Sequence, residues 1–411
     1  MENKKEILQL IPAIRILLSR EKTKILTFIE EGSLFADKTS MPEEAHLFIQ
    51  HENAERTLHA IKNKNQDLSY IFLQGKGIII IGNTKQEVDQ LKQKLFQKNT
   101  GYSQDTQTPN HTLNTDATGN ISSHESYGET KGTNKPGGRA ANKIVIVTGG
   151  AQGFGGGIAR ELFEEGANMI IADLNEEKGL TLAAELNQKQ SDNQALFIKT
   201  DVSKHESVEN MIYEAVKEFG GLDVMISNAG ILRAGGLEEM DASTFELMTK
   251  VNYMAYFYCV KYASEVMKIQ HQYNPDYFSD IIQINSKSGL KGSKKNFAYA
   301  GAKFGGIGLT QSYALELMPY KIKVNSICPG NFFEGPLWSD PENGLFVQYL
   351  HAGKVPGAKT IEDVKKHYES QVPAGRGCRV KDVVKAIYYV MEQEYETGQA
   401  IPVTGGQQML K

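Results

Sequence analysis

A serine, a tyrosine and a lysine between positions 286 and 303 have the types and the spacing to move a proton. They stand in the stretch SKSGLKGSKKNFAYAGAK as Ser286, Tyr299 and Lys303. Tyr299 and Lys303 are four residues apart, so they share one face if this stretch is helical. A free phenol has a pKa of about 10, and we expect the neighbouring ammonium to lower the pKa of Tyr299 towards a value useful for acid–base catalysis. Ser286 can hold the same reacting oxygen by a hydrogen bond.

Apolar strands that alternate with helical segments must position these residues. Between residues 141 and 411 the strand candidates are KIVIVTGG, MIIAD, ALFIKTD, LDVMISNAG, DIIQINS, IKVNSICPG and AIPVTGG. Helical segments fill most of the gaps between them. This alternation predicts a parallel sheet covered by helices on both faces. The expected fold class is therefore α/β, with a doubly wound parallel sheet.

A glycine-rich turn follows the first of these strands. The chain passes through Gly149, Gln152, Gly153, Phe154 and Gly155 before a helix pattern begins. Glycines at such a turn let a pyrophosphate approach the backbone, and the N–H groups at the start of the helix bind its charge. These five residues are the expected phosphate-binding loop of a Rossmann-type sheet.

An acidic residue at the end of the second strand selects the cofactor. Asp173 lies eighteen residues beyond Gly155, where a carboxylate can accept hydrogen bonds from the ribose hydroxyls of an adenosine and repel a 2′-phosphate. NAD is therefore favoured over NADP. The ends of the third and fourth strands are expected to flank the adenine and its ribose, and they carry Asp201, Val202, Asn228, Ala229 and Gly230.

The motifs together resemble the short-chain dehydrogenase/reductase family over nearly all of residues 141 to 411. They are the G-x-x-x-G-x-G loop, NAG at 228–230, and Ser286 thirteen residues before Tyr-x-x-x-Lys. The resemblance implies a catalytic set of Asn252, Ser286, Tyr299 and Lys303. In that family the lysine also reaches the ribose of NAD, and the asparagine anchors a water that connects the lysine to solvent.

The loop after the sixth strand departs from the family pattern. Pro329 and Gly330 match the pattern and are expected near the nicotinamide, but Glu334 stands where the family commonly has a threonine that binds the nicotinamide amide. The segment 331–375 is long, carries the single tryptophan, Trp338, and reads as a substrate lid.

Basic residues surround the proposed catalytic tyrosine. The stretches INSKSG, GSKKN, VPAGRGC and TGQAIPVTGGQ resemble the branch of the family that interconverts sorbitol 6-phosphate and fructose 6-phosphate. Lys287, Lys294, Lys295 and Arg376 are candidates for binding the substrate phosphate. The alternative for each lysine is a solvated basic loop. Another polyol, a secondary alcohol or a deoxy-sugar product remain alternative substrates, and an NAD-sensing regulatory protein is the non-enzymatic alternative.

The remainder of the chain is expected to form a small head and a linker. Residues 1–98 read as a small α/β domain, with two strands around residues 75–77 and a capped helix beginning near Thr84. Residues 99–140 are rich in small polar residues and are expected to be a disordered linker. The stretches EEGSLFADKTSMPEEAHLFI and YIFLQGKGIIIIGNTKQEV resemble the C-terminal part of class II aldolase/adducin domains. The head carries only His46, His51 and His59, without a His-x-His pair, so we expect no metal site there and no aldolase activity.

Composition limits the partners and the location. The net charge of the 411 residues is −4, which argues against a general nucleic-acid binder. No apolar run reaches the roughly 20 residues of a membrane span, and the three widely spaced cysteines suit the cytoplasm. The family resemblance implies a homotetramer, and Gly305, Gly306 and Gly308 on one predicted helix suggest a close helix–helix approach.

Overall fold

The structure, a computed structural model, describes two sheets with their covering helices. The described residues are 2–19, 23–30, 46–49, 54–62, 68–74, 76–100, 138–189, 191–342, 344–351 and 353–409. Among them no helix is long and apolar enough to cross a bilayer.

The head contains a four-stranded sheet with the order β1-β4-β3-β2. Only β2 and β3 are parallel neighbours; the other two pairs are antiparallel. β3 and β4 are the strand pair expected around residues 75–77. The elements of the head are α1 (Glu2–Leu18), β1 (Ile25–Glu30), β2 (His46–Ile49), α2 (Ala54–Lys62), β3 (Tyr70–Leu73), β4 (Gly77–Gly82) and α3 (Lys85–Thr100).

Seven parallel strands form the large sheet, which confirms the predicted fold class. They are β5 (Ile144–Thr148), β6 (Asn168–Asp173), β7 (Ala195–Lys199), β8 (Val224–Ser227), β9 (Ser279–Ile284), β10 (Ile322–Pro329) and β11 (Ala400–Val403). Their order is β11-β10-β9-β8-β5-β6-β7, so the winding reverses between β5 and β8. Loops that leave these two strands diverge and open a crevice at the carboxyl edge of the sheet.

Helices cover both faces because the strands are apolar on both sides. They are α4 (Gly153–Glu164), α5 (Glu176–Asn187), α6 (His205–Phe219), α7 (Ala242–Thr249), α8 (Ala255–Tyr273), α9 (Phe297–Leu317), α10 (Pro336–Ser339), α11 (Leu345–His351), α12 (Ile361–Ser370) and α13 (Val380–Glu392). One core lies under α4, α5 and α13. A second lies under α6, α8 and α9 and continues into the head.

The head packs against the large domain at the edge opposite the crevice. Helix α1 lies on α6 and α8, and Arg15 of α1 makes a two-pronged ion pair with Asp223 at 2.8 and 2.9 Å. Asp223 directly precedes β8 and also accepts the backbone N–H of Ile144. Since both residues stand at the amino ends of parallel strands, the head is remote from the strand ends that carry the proposed catalytic groups.

Both ends of the linker expected at 99–140 belong to folded elements in the structure. Residues 99 and 100 belong to α3. Ala140 is fully buried in the core of the large domain, and Arg139 pairs with Glu392 of α13. The expected boundary missed these contacts because their partners lie far away in the sequence. Residues 101–137 lie outside the described part of the chain.

Candidate active site

The four proposed catalytic residues converge at the carboxyl edge of the sheet. Ser286 follows β9, while Tyr299 and Lys303 lie one turn apart on α9. Lys303 is 3% exposed, its Nζ lies 5.5 Å from the centroid of the Tyr299 ring, and it donates to the Ile284 carbonyl at 3.0 Å. The spacing that suggested one helical face therefore corresponds to a real side-chain pair.

The pKa of Tyr299 moves opposite to the expectation from sequence. Burial raises the pKa of the Tyr299 phenol, and its hydrogen bond with Ser286 opposes that shift. Burial also lowers the pKa of Lys303 to about 8, against a smaller effect of Cys328. Desolvation disfavours both charged forms, so the lowering expected from the ammonium alone is wrong. The oxidised nicotinamide is the second cation expected to favour the phenolate.

Asn252 lies in a π-helical segment, Lys250–Met254, between α7 and α8. Its side chain accepts from the Ile231 N–H at 3.1 Å and donates to the carbonyls of Ile231 and Met248 at 2.9 and 3.0 Å. A Cβ on Gly230 would lie 2.9 Å from Asn252 Oδ1 and 3.9 Å from Lys303 Nζ. Glycine at 230 therefore lets the loop after β8 pass close to both catalytic candidates. The π-helical turn, a feature frequent at functional sites, was not predicted.

The glycine-rich loop has the geometry that a dinucleotide pyrophosphate requires. Gly149 and Gly153 have φ of 61° and 60°, a region that glycine enters readily. A Cβ on Gly155 would lie 2.0 Å from the Gly149 carbonyl oxygen, so glycine there allows α4 to start against β5. Above Gly153, the nearest atom to an added Cβ is Pro336 Cδ at 4.0 Å. The N-terminus of α4 is thus accessible, and Gln152 precedes it without capping it.

Asp173 stands at the end of β6 beside this loop. One carboxylate oxygen accepts the Ala151 N–H at 3.0 Å and the other accepts the Asn175 N–H at 2.9 Å. A carboxylate has about four acceptor positions, so capacity for ribose hydroxyls remains. The residues of the loop and of this strand end fit an adenine dinucleotide.

Thr148, which the sequence analysis missed, joins the two strand ends at the crevice. Its hydroxyl accepts the N–H groups of Asn228 and Ala229 at 3.0 and 3.2 Å. The Asn228 side chain donates back to the carbonyls of Thr148 and Gly149 at 2.9 and 3.1 Å. A polar residue that ends an otherwise apolar strand was the available signal.

The remaining candidates for cofactor binding differ in burial and in hydrogen bonding. Asp201 accepts from the Ser203 N–H and hydroxyl, and these bonds lower the pKa of its carboxyl against the effect of burial. Val202 is buried in the core that continues into the head. Pro329 ends β10, the Gly330 N–H bonds the β11 end, and Phe154 stacks on Phe332 with ring centroids 4.4 Å apart.

The four candidates for phosphate binding have different surroundings. Lys287 is partly buried, and burial and Lys291 lower its pKa to about 8. Lys294 is exposed and has no ion-pair or hydrogen-bond partner among the described residues. Lys295 is paired with Glu239 at 2.7 Å.

Arg376 is paired with an acidic side chain. Its guanidinium makes a two-pronged contact with Asp382 of α13 at 2.6 and 3.0 Å. It lines a cavity of about 310 Å³ with Asn331 and Gln407, and none of the four catalytic candidates, all of them described, lines that cavity. A phosphate bound by Arg376 would therefore have to share its guanidinium with Asp382.

The long segment 331–375 folds around Trp338 into a small apolar core. Phe333, Phe346, Tyr349 and Tyr368 pack around its ring, with centroids 5.0 to 5.8 Å away. This core reaches Leu232 in the loop after β8. The lid expected from sequence thus has an interior of its own beside the proposed site.

Glu334, which replaces the family threonine, faces the surface. Its carboxylate lies 3.5 Å from the guanidinium of Arg379, and both side chains are more than half exposed. Among the described residues no group of three histidines, cysteines or acidic residues has a metal-binding arrangement. Of the head histidines, His59 is exposed on α2, whereas the side chains of His46 and His51 lie outside the described residues.

Comparison with known proteins agrees with this geometry. A family model described as short chain dehydrogenase matches residues 143–337. Sorbitol-6-phosphate 2-dehydrogenase of Escherichia coli is 35% identical over 270 residues, which are 65% of this chain and 99% of that protein. The chain belongs to the short-chain dehydrogenase/reductase family. The crystal structure of sorbitol-6-phosphate 2-dehydrogenase from Erwinia amylovora superposes with a TM-score of 0.59 at 35% identity, covering 65% of this chain and 99% of that one.

Another relative of this chain is named for a substrate that is not a sugar phosphate. The trans-4-hydroxycyclohexanecarboxylate dehydrogenase of Sinomonas cyclohexanicum is 32% identical over 275 residues, which are 66% of this chain and 94% of that protein. Similar identity to enzymes with such different substrates assigns the family and leaves the substrate to be argued from the site.

Proposed function

We propose that the protein is an NAD-dependent dehydrogenase that interconverts a sugar-alcohol phosphate and a ketose phosphate, with sorbitol 6-phosphate and fructose 6-phosphate as the leading pair. The observation that carries the proposal is the Tyr299–Ser286 hydrogen bond beside the buried Lys303. It is supported by the loop at the N-terminus of α4 and by the similarity to sorbitol-6-phosphate 2-dehydrogenases.

The proposed reaction uses Tyr299 as the group that exchanges a proton with the substrate oxygen. Bound NAD supplies the hydride acceptor. Ser286 donates a hydrogen bond to the same oxygen and stabilises the charge that develops there. Lys303 holds positive charge beside the phenol and is placed to reach the cofactor ribose, while Asn252 anchors the water that links Lys303 to solvent.

Burial determines the protonation state of the Tyr299 phenol in the protein without cofactor. The raised pKa keeps Tyr299 protonated at neutral pH, which is the form that donates a proton to a carbonyl oxygen. Oxidation of an alcohol needs the phenolate. The positive charge of an oxidised nicotinamide would favour that form, since a nearby cation stabilises an anion.

The substrate phosphate is assigned first to Lys287, then to Lys294. Lys287 is the candidate whose burial strengthens a contact with an anion. Lys295 and Arg376 remain weaker candidates because acidic side chains already pair with them.

A related dehydrogenase for an unphosphorylated alcohol is the second candidate. The apolar core around Trp338 and the engaged Lys295 and Arg376 favour it. As further parts of the proposal, the enzyme is cytoplasmic, in keeping with its three free cysteines. It is also a homotetramer, in keeping with the exposed Phe257 and Phe304 on neighbouring helices.

A substrate panel tests the proposed function. The absorbance of reduced nicotinamide is followed with sorbitol 6-phosphate, other polyol phosphates, free polyols and a cyclic secondary alcohol, with NAD and NADP in parallel. The proposal predicts the highest kcat/KM for a polyol phosphate with NAD. Equal turnover of free polyols contradicts the phosphate assignment, and a preference for NADP contradicts the assignment of Asp173.

A further inference from the structure

Asn285, which directly precedes Ser286, connects three elements at the proposed active site. Its Nδ2 donates to the carbonyl of Lys303 on α9 at 2.9 Å, and its Oδ1 accepts from the N–H of Ser286 at 2.8 Å. Its own backbone N–H donates to Ile327 of β10 at 2.7 Å. The residue is 4% exposed, so these bonds form where water does not compete for them.

Lys303 is held at both of its ends by neighbouring residues of the β9 strand end. The Nζ of Lys303 donates to the carbonyl of Ile284 at 3.0 Å, while its main-chain carbonyl accepts from Asn285. The two bonds run in opposite directions between the same two segments. They therefore fix the separation of the segment that carries Ser286 from the helix that carries Tyr299.

The orientation of the Asn285 amide is set by a second contact. Its Nδ2 also donates to Gln283 Oε1 at 2.8 Å, and that oxygen accepts from Ser326 at 2.9 Å. Rotating the amide by half a turn would place its oxygen against two acceptors, the Gln283 oxygen and the Lys303 carbonyl. The Asn285 oxygen is consequently directed at the Ser286 N–H.

We infer that Asn285 is a positioning residue for the proposed dehydrogenase reaction, one that holds Ser286 and Lys303 at working distance from Tyr299. The inference rests on the proposed function. Asn285 acts through its neighbours, because both N–H donors of its buried amide and its oxygen are engaged by protein groups. A reaction that needs Ser286 and Tyr299 on one oxygen is sensitive to their separation, and a displacement of about 1 Å can cost about a hundredfold in rate.

The variant Asn285→Asp tests the inference, since it changes one donor into an acceptor at the same volume. A protonated carboxyl has one O–H, so it can keep the hydrogen bond to the Lys303 carbonyl but loses the second donation, to Gln283. Loss of the proton as the pH rises removes this donor and breaks the hydrogen bond to the Lys303 carbonyl. The expected result is a new fall in kcat with rising pH and a loss of at least about tenfold at neutral pH, with KM for NAD and the alcohol changed little.

Asn193→Asp is the matched control. The Nδ2 of Asn193 likewise donates to two carbonyls, those of Phe163 and Ala167 at 2.9 and 2.7 Å, and the residue is 8% exposed. It lies on the α4 and β6 side, away from the proposed catalytic residues. A purely structural effect lowers the melting temperature of both variants without a new pH dependence of kcat.

The possible outcomes decide between the two explanations. A new fall in kcat with rising pH in Asn285→Asp that is absent from Asn193→Asp supports the inference. A wild-type pH profile of kcat in an active Asn285→Asp protein overturns it. Should Asn285→Asp fail to fold, Asn285→Ser is measured: a tenfold lower kcat at unchanged KM supports the inference, and wild-type kcat overturns it. Absence of turnover by the wild-type protein overturns the proposed function and this inference together.

Discussion

Lys287 and Lys295 flank the same loop, and their surroundings assign them different roles. Lys287 is partly buried with a pKa lowered to about 8, whereas Lys295 is exposed and paired with Glu239. We predict that Lys287→Ala raises KM for a phosphorylated substrate by about ten- to a hundredfold, the range expected for a hydrogen bond to a charged group. Lys295→Ala should change it less than threefold. Steady-state kinetics of both variants checks this, and equal effects would refute the assignment.

The same lysine gives a pH dependence. As the pH rises through about 8, Lys287 loses its charge, and kcat/KM for the phosphorylated substrate falls. Lys303 titrates in the same range and affects every substrate. The ratio of kcat/KM for the phosphorylated polyol to kcat/KM for the free polyol therefore isolates the effect of Lys287. This ratio should fall above about pH 8 in the wild type and stay constant in Lys287→Ala.

At the scale of residues, the sequence predicted that Tyr299 and Lys303 lie together on a helix, but it did not predict the direction of the Tyr299 pKa shift. Tyr299 and Lys303 followed from a four-residue helical spacing. The direction of the Tyr299 pKa shift depends on burial by segments far away in the sequence, so it could not follow from the spacing. Asn285 was missed for the same reason, since its partners at positions 303 and 327 are distant in the sequence.

At the scale of elements, α9 shows why neighbouring glycines are not equivalent. A Cβ on Gly305 would lie 2.6 Å from the Tyr253 ring, and one on Gly306 would lie 2.5 Å from the Gln283 amide. A Cβ on Gly308 would meet nothing within 4 Å. The sequence suggested one cause, close helix–helix approach, for all three. In the structure, Gly305 lies against the Tyr253 ring of the π-helical segment, and Gly306 lies against the Gln283 side chain of β9. An added Cβ on Gly308 has open space around it within this chain.

Gly306→Ala and Gly308→Ala form a matched pair in this helix. We predict that Gly306→Ala destabilises the protein by about 1–3 kcal/mol through overpacking against Gln283. Gly308→Ala should stabilise it by up to about 1 kcal/mol, because alanine is the better helix former. Urea unfolding followed by circular dichroism measures both. Equal changes of the same sign would show that the close contact at position 306 is unimportant.

The strands were predicted more completely than the segments between them. All seven strand candidates appear in the sheet, since apolar runs that end in turn residues leave few alternatives. The interior of segment 331–375 was not predicted. Its helices α10, α11 and α12 are short and depend on contacts around Trp338, which local sequence patterns do not record.

At the scale of the whole molecule, the head is joined to the large domain by a continuous apolar core and by buried charge. Arg15 and Asp223 are 0% and 1% exposed. Lys85 of α3 is also buried and pairs with Glu218 of α6 at 2.5 Å. A charge buried in this way requires its partner, since removing one member of such a pair costs about 3–5 kcal/mol.

We predict that the head stays bound after the chain is cut. A protease site introduced between residues 101 and 137 is cleaved, and the two pieces should elute together in size-exclusion chromatography. Arg15→Met should release the head or weaken its binding at least a hundredfold. Arg160→Met, which removes a half-exposed pair with Glu185, is the control and should leave binding unchanged. Separate elution of the cleaved wild-type pieces would contradict the interface.

The most direct measurement of the central claim is the turnover of Tyr299→Phe. If Tyr299 exchanges the proton with the substrate oxygen, removing its hydroxyl should lower kcat by about 10²–10⁴, while calorimetry shows unchanged binding of NAD. Tyr213→Phe removes another largely buried hydroxyl, one that donates to Glu30 far from the site, and should keep wild-type kcat. A Tyr299→Phe protein with kcat within a few-fold of the wild type would contradict the proposed mechanism.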